Sequence, residues 1–389
     1  MPAGSPLLKI SIVTGFFLPV PAVGGGATEK SWHRLAEMFA AAGHTVTLVS
    51  RSWPGLPPRE TVNGVQHVRL PGFNHTRRLV QNLFLDFIWG VRVARALPPG
   101  DVVVCNTITL PVWLRSLRPG AGVVCVMIGR VPKGQVGFYG AVSRIYAPST
   151  FVARQFSPRA LARTRVIGYP IEWSLMERSA ARKGDPVVIG FVGRLHPEKG
   201  IELLVRAAGL LAERKGLPEW RLRLVGPLGV PQGGGGEAWG EALRNAAAAN
   251  LGDRVEWLPP EFDSGRLARV YGGMDVFCYP SLALKGETFG VAVAEAMASG
   301  CAVVVSALDC FSDLVTDDAT GLVFDHTAPD ADGRLADCME RLVADAGLRG
   351  RLARAGQAHA RLFDYPEVSR NILGDLTFLT GETAEKRQQ

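Results

Sequence analysis

Short apolar runs alternate along this chain with longer amphipathic stretches, and the two periods separate strands from helices. Leu8-Lys9-Ile10-Ser11-Ile12-Val13 has the pattern of a buried strand. The glycine loop Gly24-Gly25-Gly26 follows. Residues 28–42 then carry Trp32, Leu35, Ala36 and Phe39 at helical spacing. Gly43 ends that helix, and 44–50 reads as a second strand. Strand, glycine turn, helix and strand make a βαβ unit. Further strands are predicted at 66–70, 101–105, 123–128 and 144–147.

The same grammar restarts at residue 187. Strands at 187–192, 221–225, 255–258, 276–279 and 302–306 alternate with helices at 201–215, 237–250, 263–272 and 291–299. Two such series predict an α/β protein of two doubly wound parallel-sheet domains. The boundaries expected are 1–170 for the first domain, 171–186 for a polar linker and 187–362 for the second domain. A C-terminal segment, 363–389, can return to the first domain and ends in a charged, frayed tail. Residues 335–362 read as one long helical region. The glycine run 233–236 reads as a flexible loop insertion.

A chain of 389 residues suits two domains, and 47% hydrophobic with 20% charged residues suits full-sized cores. No uncharged apolar run reaches the length of a membrane-spanning helix. The first residues lack the apolar core and cleavage site of a signal peptide. The six cysteines are scattered through strand-like contexts, as buried thiols of a reducing cytoplasm would be.

The net charge of +7 hides an asymmetry. Residues 1–170 hold 19 Lys and Arg against five acids, a net +14, and the remainder is net −7. Such a split suits an anionic partner for the first half, or an arginine-rich solvated surface. Nucleic acid is not favoured, because no basic motif is interleaved with aromatics.

Four segments carry candidate chemistry. In Glu287-Thr288-Phe289-Gly290-Val291-Ala292-Val293-Ala294-Glu295, two acids bracket the predicted start of a helix. A helix N-terminus is a ready anion site. Acids on either side suit a ligand with an anionic middle and hydroxyl-bearing ends, which is the layout of a nucleotide sugar. Glu295 lies among apolar neighbours, where an acid is costly without partners.

Gly193-Arg194-Leu195-His196-Pro197-Glu198-Lys199-Gly200 leaves the carboxyl end of a predicted strand, where α/β sheets bind ligands. Its guanidinium and ammonium can grip two phosphates. It is not a Walker loop, since Lys199 precedes no Ser or Thr. Gly226, after the strand Leu224-Val225, can shape one wall of a base pocket. Gly24-Gly25-Gly26 permits close backbone approach to phosphate. It lacks the spacing of a dinucleotide fingerprint, and Ser50-Arg51 stand where that fold has an acid.

These segments, in this order and spacing, resemble the retaining glycosyltransferases of family 4, which have the GT-B fold. The likeness spans nearly the whole chain. It includes the glycine loop, Gly43-His44-Thr45-Val46, Gly193-Arg194 with Lys199-Gly200, and the E-x7-E pair Glu287 and Glu295. The resemblance implies two Rossmann-like domains facing across a donor and acceptor cleft, with closure excluding water. It implies that Arg194 and Lys199 bind the donor diphosphate, that Glu295 holds the ribose and that Glu287 holds the donor sugar. Backbone at Thr288, Phe289, Gly290 and Val291 would face sugar and phosphates, with Gly25 and Gly26 opposite. The family needs no metal and no further cofactor, and Asp330-Ala331-Asp332 then reads as surface charge.

One departure concerns the donor sugar. Many members place a His at the end of the strand corresponding to 123–128, and here Met127-Ile128-Gly129-Arg130 stands there. Arg130 and Lys133 become candidates for contacts to an anionic sugar or acceptor. The implied function is retaining hexosyl transfer from a UDP-sugar to an acceptor, either a small molecule, a glycan or a lipid-linked glycan. The alternatives are a nucleotide-sugar epimerase of the same fold and a non-catalytic nucleotide-sugar binder. The segment 77–89 joins Arg77-Arg78 to dense apolar residues. It reads either as a core helix lining the acceptor site or as an amphipathic helix in peripheral contact with the inner face of a membrane.

Overall fold

The computed structural model describes residues 6–23, 26–179, 186–284 and 286–388. The chain divides into two compact units, Met1–Tyr169 with Tyr365–Gln389, and Pro170–Asp364.

The first unit is built on eight strands: β1 (Lys9–Val13), β2 (Thr45–Arg51), β3 (Arg59–Val62), β4 (Val65–Leu70), β5 (Val102–Cys105), β6 (Val123–Met127), β7 (Arg144–Ala147) and β8 (Thr164–Val166). Their order is β3-β4-β2-β1-β5-β6-β7-β8. All pairs are parallel except β3 with β4. The central strands are the apolar runs of the sequence, and Ile10, Ile12, Val13, Val103, Val104 and Val126 are buried. The edge strands β3 and β8 are unexpected additions. Both are short and largely solvated, so neither shows an apolar run. The hairpin joining β3 to β4 turns through Asn63 and Gly64, both at positive φ (47° and 78°). That pair is the favoured chemistry of a two-residue hairpin.

Helix Leu79–Ala96 seats Trp89 in this core, and its indole N–H donates to the Thr14 carbonyl at 3.1 Å. The long helix Tyr365–Gln388 belongs to the same unit. Its buried Asp375 accepts from Arg144 Nε (2.8 Å) and the Tyr146 hydroxyl (2.9 Å) and pairs with Arg165.

The second unit carries β9 (Val187–Val192), β10 (Trp220–Val225), β11 (Val255–Leu258), β12 (Val276–Tyr279), β13 (Ala302–Ser306) and β14 (Leu322–Phe324). They form a parallel sheet in the order β11-β10-β9-β12-β13-β14. The chain first builds outward from β9 on one side and then returns to place β12 on the other. The loops after β9 and β12 therefore diverge at one topological switch point, where doubly wound sheets open a crevice. The single helical region expected over 335–362 is two helices, Ala331–Ala344 and Ala346–Ala360. Asp345 breaks it, because its carboxylate accepts from Leu348 N at 2.9 Å and caps the second helix. Residues 170–179 belong to this unit, and Trp173 donates to the Gln357 carbonyl at 3.1 Å.

Candidate functional site

The switch point of the second unit brings together the loops that hold Lys199 and Glu287. Gly200 makes their contact possible. It sits in the left-handed region at φ 69°, and a Cβ there would lie 2.0 Å from the Pro280 carbonyl oxygen. Only glycine lets the two loops close on each other. Lys199 Nζ then pairs directly with Glu287 Oε1, and both residues are buried. The same oxygen accepts from the Tyr279 hydroxyl (3.0 Å) and from Ser281 Oγ (3.2 Å). Ser281 is itself fixed from β13, where Ser306 Oγ donates to the Ser281 carbonyl at 2.6 Å.

Burial and the neighbouring Glu287 carboxylate push the Tyr279 phenol well above its ordinary range, so it stays a donor. Its ring stacks on Phe191 at 5.5 Å and 8°. A buried ion pair needs additional hydrogen bonds to offset desolvation, and Tyr279 and Ser281 supply them.

Arg194 is held next to this pair. Its Nη2 donates to Glu198 Oε1 at 2.7 Å and its Nη1 to the Gly233 carbonyl at 2.8 Å. The single turn Pro197–Lys199 that separates the two cations is capped by His196, whose Nδ1 accepts from Glu198 N at 3.2 Å. The glycine run 233–236 is not a flexible insertion. Gly235 N donates to the Leu195 carbonyl (2.8 Å) and Gly236 N to the Leu228 carbonyl (2.9 Å), so the run folds back onto the Arg194 loop. Glycine is required because a Cβ at 234 would meet Leu228 backbone at 2.1 Å. Gly226 and Gly193 interlock in a similar way, since a Cβ at 226 would lie 1.8 Å from the Gly193 carbonyl oxygen.

Helix Val291–Ala298 starts from Gly290 at φ 98°, where a side chain would strike the Phe311 ring at 2.8 Å. Phe289 anchors the turn by packing edge-on against Phe363 with ring centres 5.0 Å apart. Thr288 and Val291 are half-buried on either side of this turn. Glu295 sits in the second turn of the helix, half-buried, and its Oε2 accepts from the Tyr271 hydroxyl at 3.0 Å. Burial, with the Glu295 charge beside it, raises the Tyr271 phenol far above its usual range.

The sequence reading missed Tyr271, Ser281 and Glu198 as partners. The strand expected at 276–279 ends shortly before the acidic motif, with Ser281 in the loop between them. Tyr271 lies on the short helix Ser264–Gly272 and gave no sign that its hydroxyl would meet Glu295. Asp330 and Asp332 pair with Arg334 and Arg206 at the start of a helix.

The remaining candidates belong to the first unit. Gly25 lies outside the described residues. Gly26 starts helix Ala27–Ala41 at φ 109°, and a Cβ there would lie 2.3 Å from Glu29 Oε2. Glu29 is a buried acid that the sequence did not mark. Burial pushes its carboxyl up, opposed by its own backbone N–H and by the charge of Arg130. Arg130 and Lys133 are exposed.

With this geometry in place, three comparisons place the chain among known proteins. Residues 174–359 match the family of glycosyl transferases group 1, so the second unit carries that family's sequence signature. The chain is similar to D-inositol 3-phosphate glycosyltransferases, at 35% identity over 186 residues for that of Salinispora tropica (48% of this chain, 37% of that protein). For that of Acidothermus cellulolyticus the identity is 33% over 261 residues (63% and 55%). The chain thus spans about half the length of the relatives it matches or less. Among solved structures, the sucrose-phosphate synthase of Thermosynechococcus elongatus aligns with a TM-score of 0.76 at 22% identity, over 96% of this chain and 99% of that one. Anabaena HepE, solved in complex with UDP and glucose, aligns with a TM-score of 0.69 at 18% identity (95% and 99%). The trehalose 6-phosphate synthase of Burkholderia multivorans gives 0.73 at 14% (99% of both). The fold is GT-B, with two Rossmann-like parallel-sheet units.

Proposed function

We propose that this protein is a retaining glycosyltransferase that moves a hexosyl group from a nucleotide sugar, foremost a UDP-sugar, to an acceptor hydroxyl or amine without a metal. The observation that carries this reading is the Lys199–Glu287 pair, buried at the switch point of the second unit beside the start of helix Val291–Ala298. Three donors converge on Glu287 Oε1, which leaves Oε2 for hydroxyls of the donor sugar. The Lys199 ammonium has three N–H bonds, of which Glu287 takes one. Lys199 and Arg194 then bind the diphosphate and stabilise it as it leaves. Backbone at Thr288, Phe289, Gly290 and Val291 lines the sugar and phosphates, and Gly226 borders the base. Glu295, oriented by Tyr271, holds the ribose.

The proposed step is front-side. The bond from the anomeric carbon to the leaving phosphate oxygen breaks as the bond to the acceptor oxygen or nitrogen forms, and that phosphate oxygen takes the acceptor proton. The acceptor docks on the basic first unit, with Arg130 and Lys133 as contacts. The D-inositol 3-phosphate in the relatives' names is an anion, and an anionic acceptor suits the net +14 of residues 1–170. Six free cysteines, five of them buried, fit a cytoplasmic setting.

Thermal-shift screening against UDP-, GDP- and dTDP-sugars tests the donor half, because a ligand of the native state raises its melting temperature. The expected result is a shift with UDP-sugars that Glu287→Ala and Glu295→Ala reduce. NMR of the anomeric proton in product then reads retention. No shift with any nucleotide sugar removes the reading, and an inverted product removes the front-side step.

A further inference from the structure

Helix Leu79–Ala96 is divided around its girth. Asp86, Trp89, Gly90 and Val93 are buried in the first unit. Leu79, Val80, Phe84 and Phe87 face solvent, Val80 at 80% exposure. Val80, Phe84 and Phe87 are spaced by four and three residues and so share one face. The face extends beyond the helix. Phe87 meets Trp113 edge-on with ring centres 5.8 Å apart, joining it to helix Leu110–Leu117, where Val112 is exposed. Buried Asp86 accepts from Thr109 N (2.7 Å) and Thr109 Oγ1 (2.6 Å), which fixes the exposed Ile108 beside it. The Tyr139 hydroxyl donates to the Ile108 carbonyl at 3.0 Å, which brings in the turn Gln135–Phe138, with Phe138 at 72% exposure. Three separate elements thus present aromatic and aliphatic side chains on one surface, well beyond the scattered apolar residues of an ordinary exterior.

The chain around this surface is strongly basic. Residues 61–171 hold 14 Lys and Arg and only two acids, Asp86 and Asp101. Asp86 is buried and exposed Asp101 accepts from Lys9 N at 2.7 Å, while Arg77, Arg78 and Arg115 are exposed on or next to the elements that carry the patch. We propose that this face docks peripherally on an anionic lipid bilayer, with the apolar side chains entering the headgroup boundary and the cations meeting lipid phosphates. Charge selects this occupant over a second copy of the chain. Two such faces brought together would set Arg77, Arg78 and Arg115 against their own copies, whereas an anionic bilayer supplies both an apolar layer and negative charge. This inference concerns only the first unit and stands independently of the proposed transfer.

Flotation of the full chain with vesicles tests it. Wild type is expected to float with phosphatidylglycerol–phosphatidylcholine vesicles, to stay behind with pure phosphatidylcholine, and to be released by salt. Arg77→Gln with Arg78→Gln should lower partitioning about fivefold per arginine. Val80→Ser with Phe84→Ser should lower it roughly tenfold or more. All four side chains are exposed, so melting temperatures should stay at the wild-type value. The shift produced by UDP-sugars should also stay, which separates this test from that of the donor site. Failure of wild type to float with anionic vesicles at low salt overturns the proposal. So does flotation that neither double variant weakens, or a lipid-free dimer that Val80→Ser with Phe84→Ser dissolves.

Discussion

In the second unit cations answer acids close by, whereas the middle of the first unit holds many more cations than acids, and Arg69, Arg144 and Arg165 reach Glu60 and Asp375 elsewhere in the unit. Lys199 faces Glu287, Arg214 faces Asp337 and Glu340, Arg223 faces Glu256, and Arg341 faces Asp318. Across residues 61–169 of the first unit, 14 cations have two acids for company. Paired charge within a fold is oriented before any ligand arrives, and unpaired exposed charge is available to a partner outside the fold. The family match at 174–359 falls within the second unit. The unit with the prearranged network is thus the one that matches glycosyl transferases group 1, and the unit with excess positive charge is where this chain's own recognition is sought.

Removing one partner of the central pair is the strongest way to break this contrast. Lys199→Ala leaves Glu287 buried without its cation, which should cost about 3–5 kcal/mol in urea unfolding. Transfer should slow by about two to three orders of magnitude. Arg115→Ala in the first unit removes an exposed charge and should change stability by less than about 0.5 kcal/mol. If the two variants unfold alike, the second unit's pairing has no special part in holding it together.

A buried polar cluster of the first unit, around His67, responds to pH. His67 is buried with Nδ1 unpartnered, and its ring packs edge-on against His33 at 5.5 Å. Burial first, then the charges of Arg69 and His33, against Glu60 and Glu37, lower its pKa to about 4. The unfolded imidazole titrates near 6.5. Between these values the unfolded chain binds a proton that the folded one refuses, so stability is full above about pH 6.5 and falls as pH drops toward 4. The loss from this residue should be on the order of 2–3 kcal/mol. Unfolding of wild type and His67→Gln at pH 7 and pH 4.5 should show a steeper loss for wild type. Parallel profiles would mean that His67 is protonated in the fold.

Gly290→Ala should act at about 2 kcal/mol. An alanine at φ 98° costs about 1 kcal/mol or more, and its Cβ would press on the Phe311 ring at 2.8 Å. UDP-sugar affinity should fall with stability, because the same turn sets the start of helix Val291–Ala298. A stable variant with unchanged affinity would show that the helix start has no part in the site.

The sequence disclosed some of this site through local chemistry. Gly193 to Gly200 and Glu287 to Glu295 stand at strand ends and helix starts, where glycine turns and charged residues announce themselves within a few positions. Pairings between distant positions were hidden. Lys199 and Glu287 are 88 residues apart, and only the strand order that seats β9 against β12 makes them neighbours. The 233–236 run misled because glycine signals backbone freedom equally in a loose loop and in one folded tightly against Leu228. The hairpin at Asn63-Gly64 carried a readable turn signal, but its flanking strand lacked an apolar run. For 77–89 the structure gives a helix from Leu79 with one side in the core and the other solvated.

The smallest effect asked of the second unit is also the most selective. Tyr271 is fully buried, and its hydroxyl donates to Glu295 Oε2 at 3.0 Å. Tyr271→Phe removes that donor while keeping the ring that packs on Phe277. If Glu295 holds the ribose, losing one orienting hydrogen bond should weaken donor binding by about 1 kcal/mol, roughly fivefold, with kcat unchanged. Glu295→Ala should weaken it further in the same direction, whereas Glu287→Ala should lower kcat. Titration calorimetry with UDP and initial rates at saturating donor read the two separately. A fall in kcat for Tyr271→Phe with UDP affinity intact would move Glu295 from the nucleotide to the reacting sugar. The division of labour between the two acids would then be the reverse of the one argued from the Lys199 pairing.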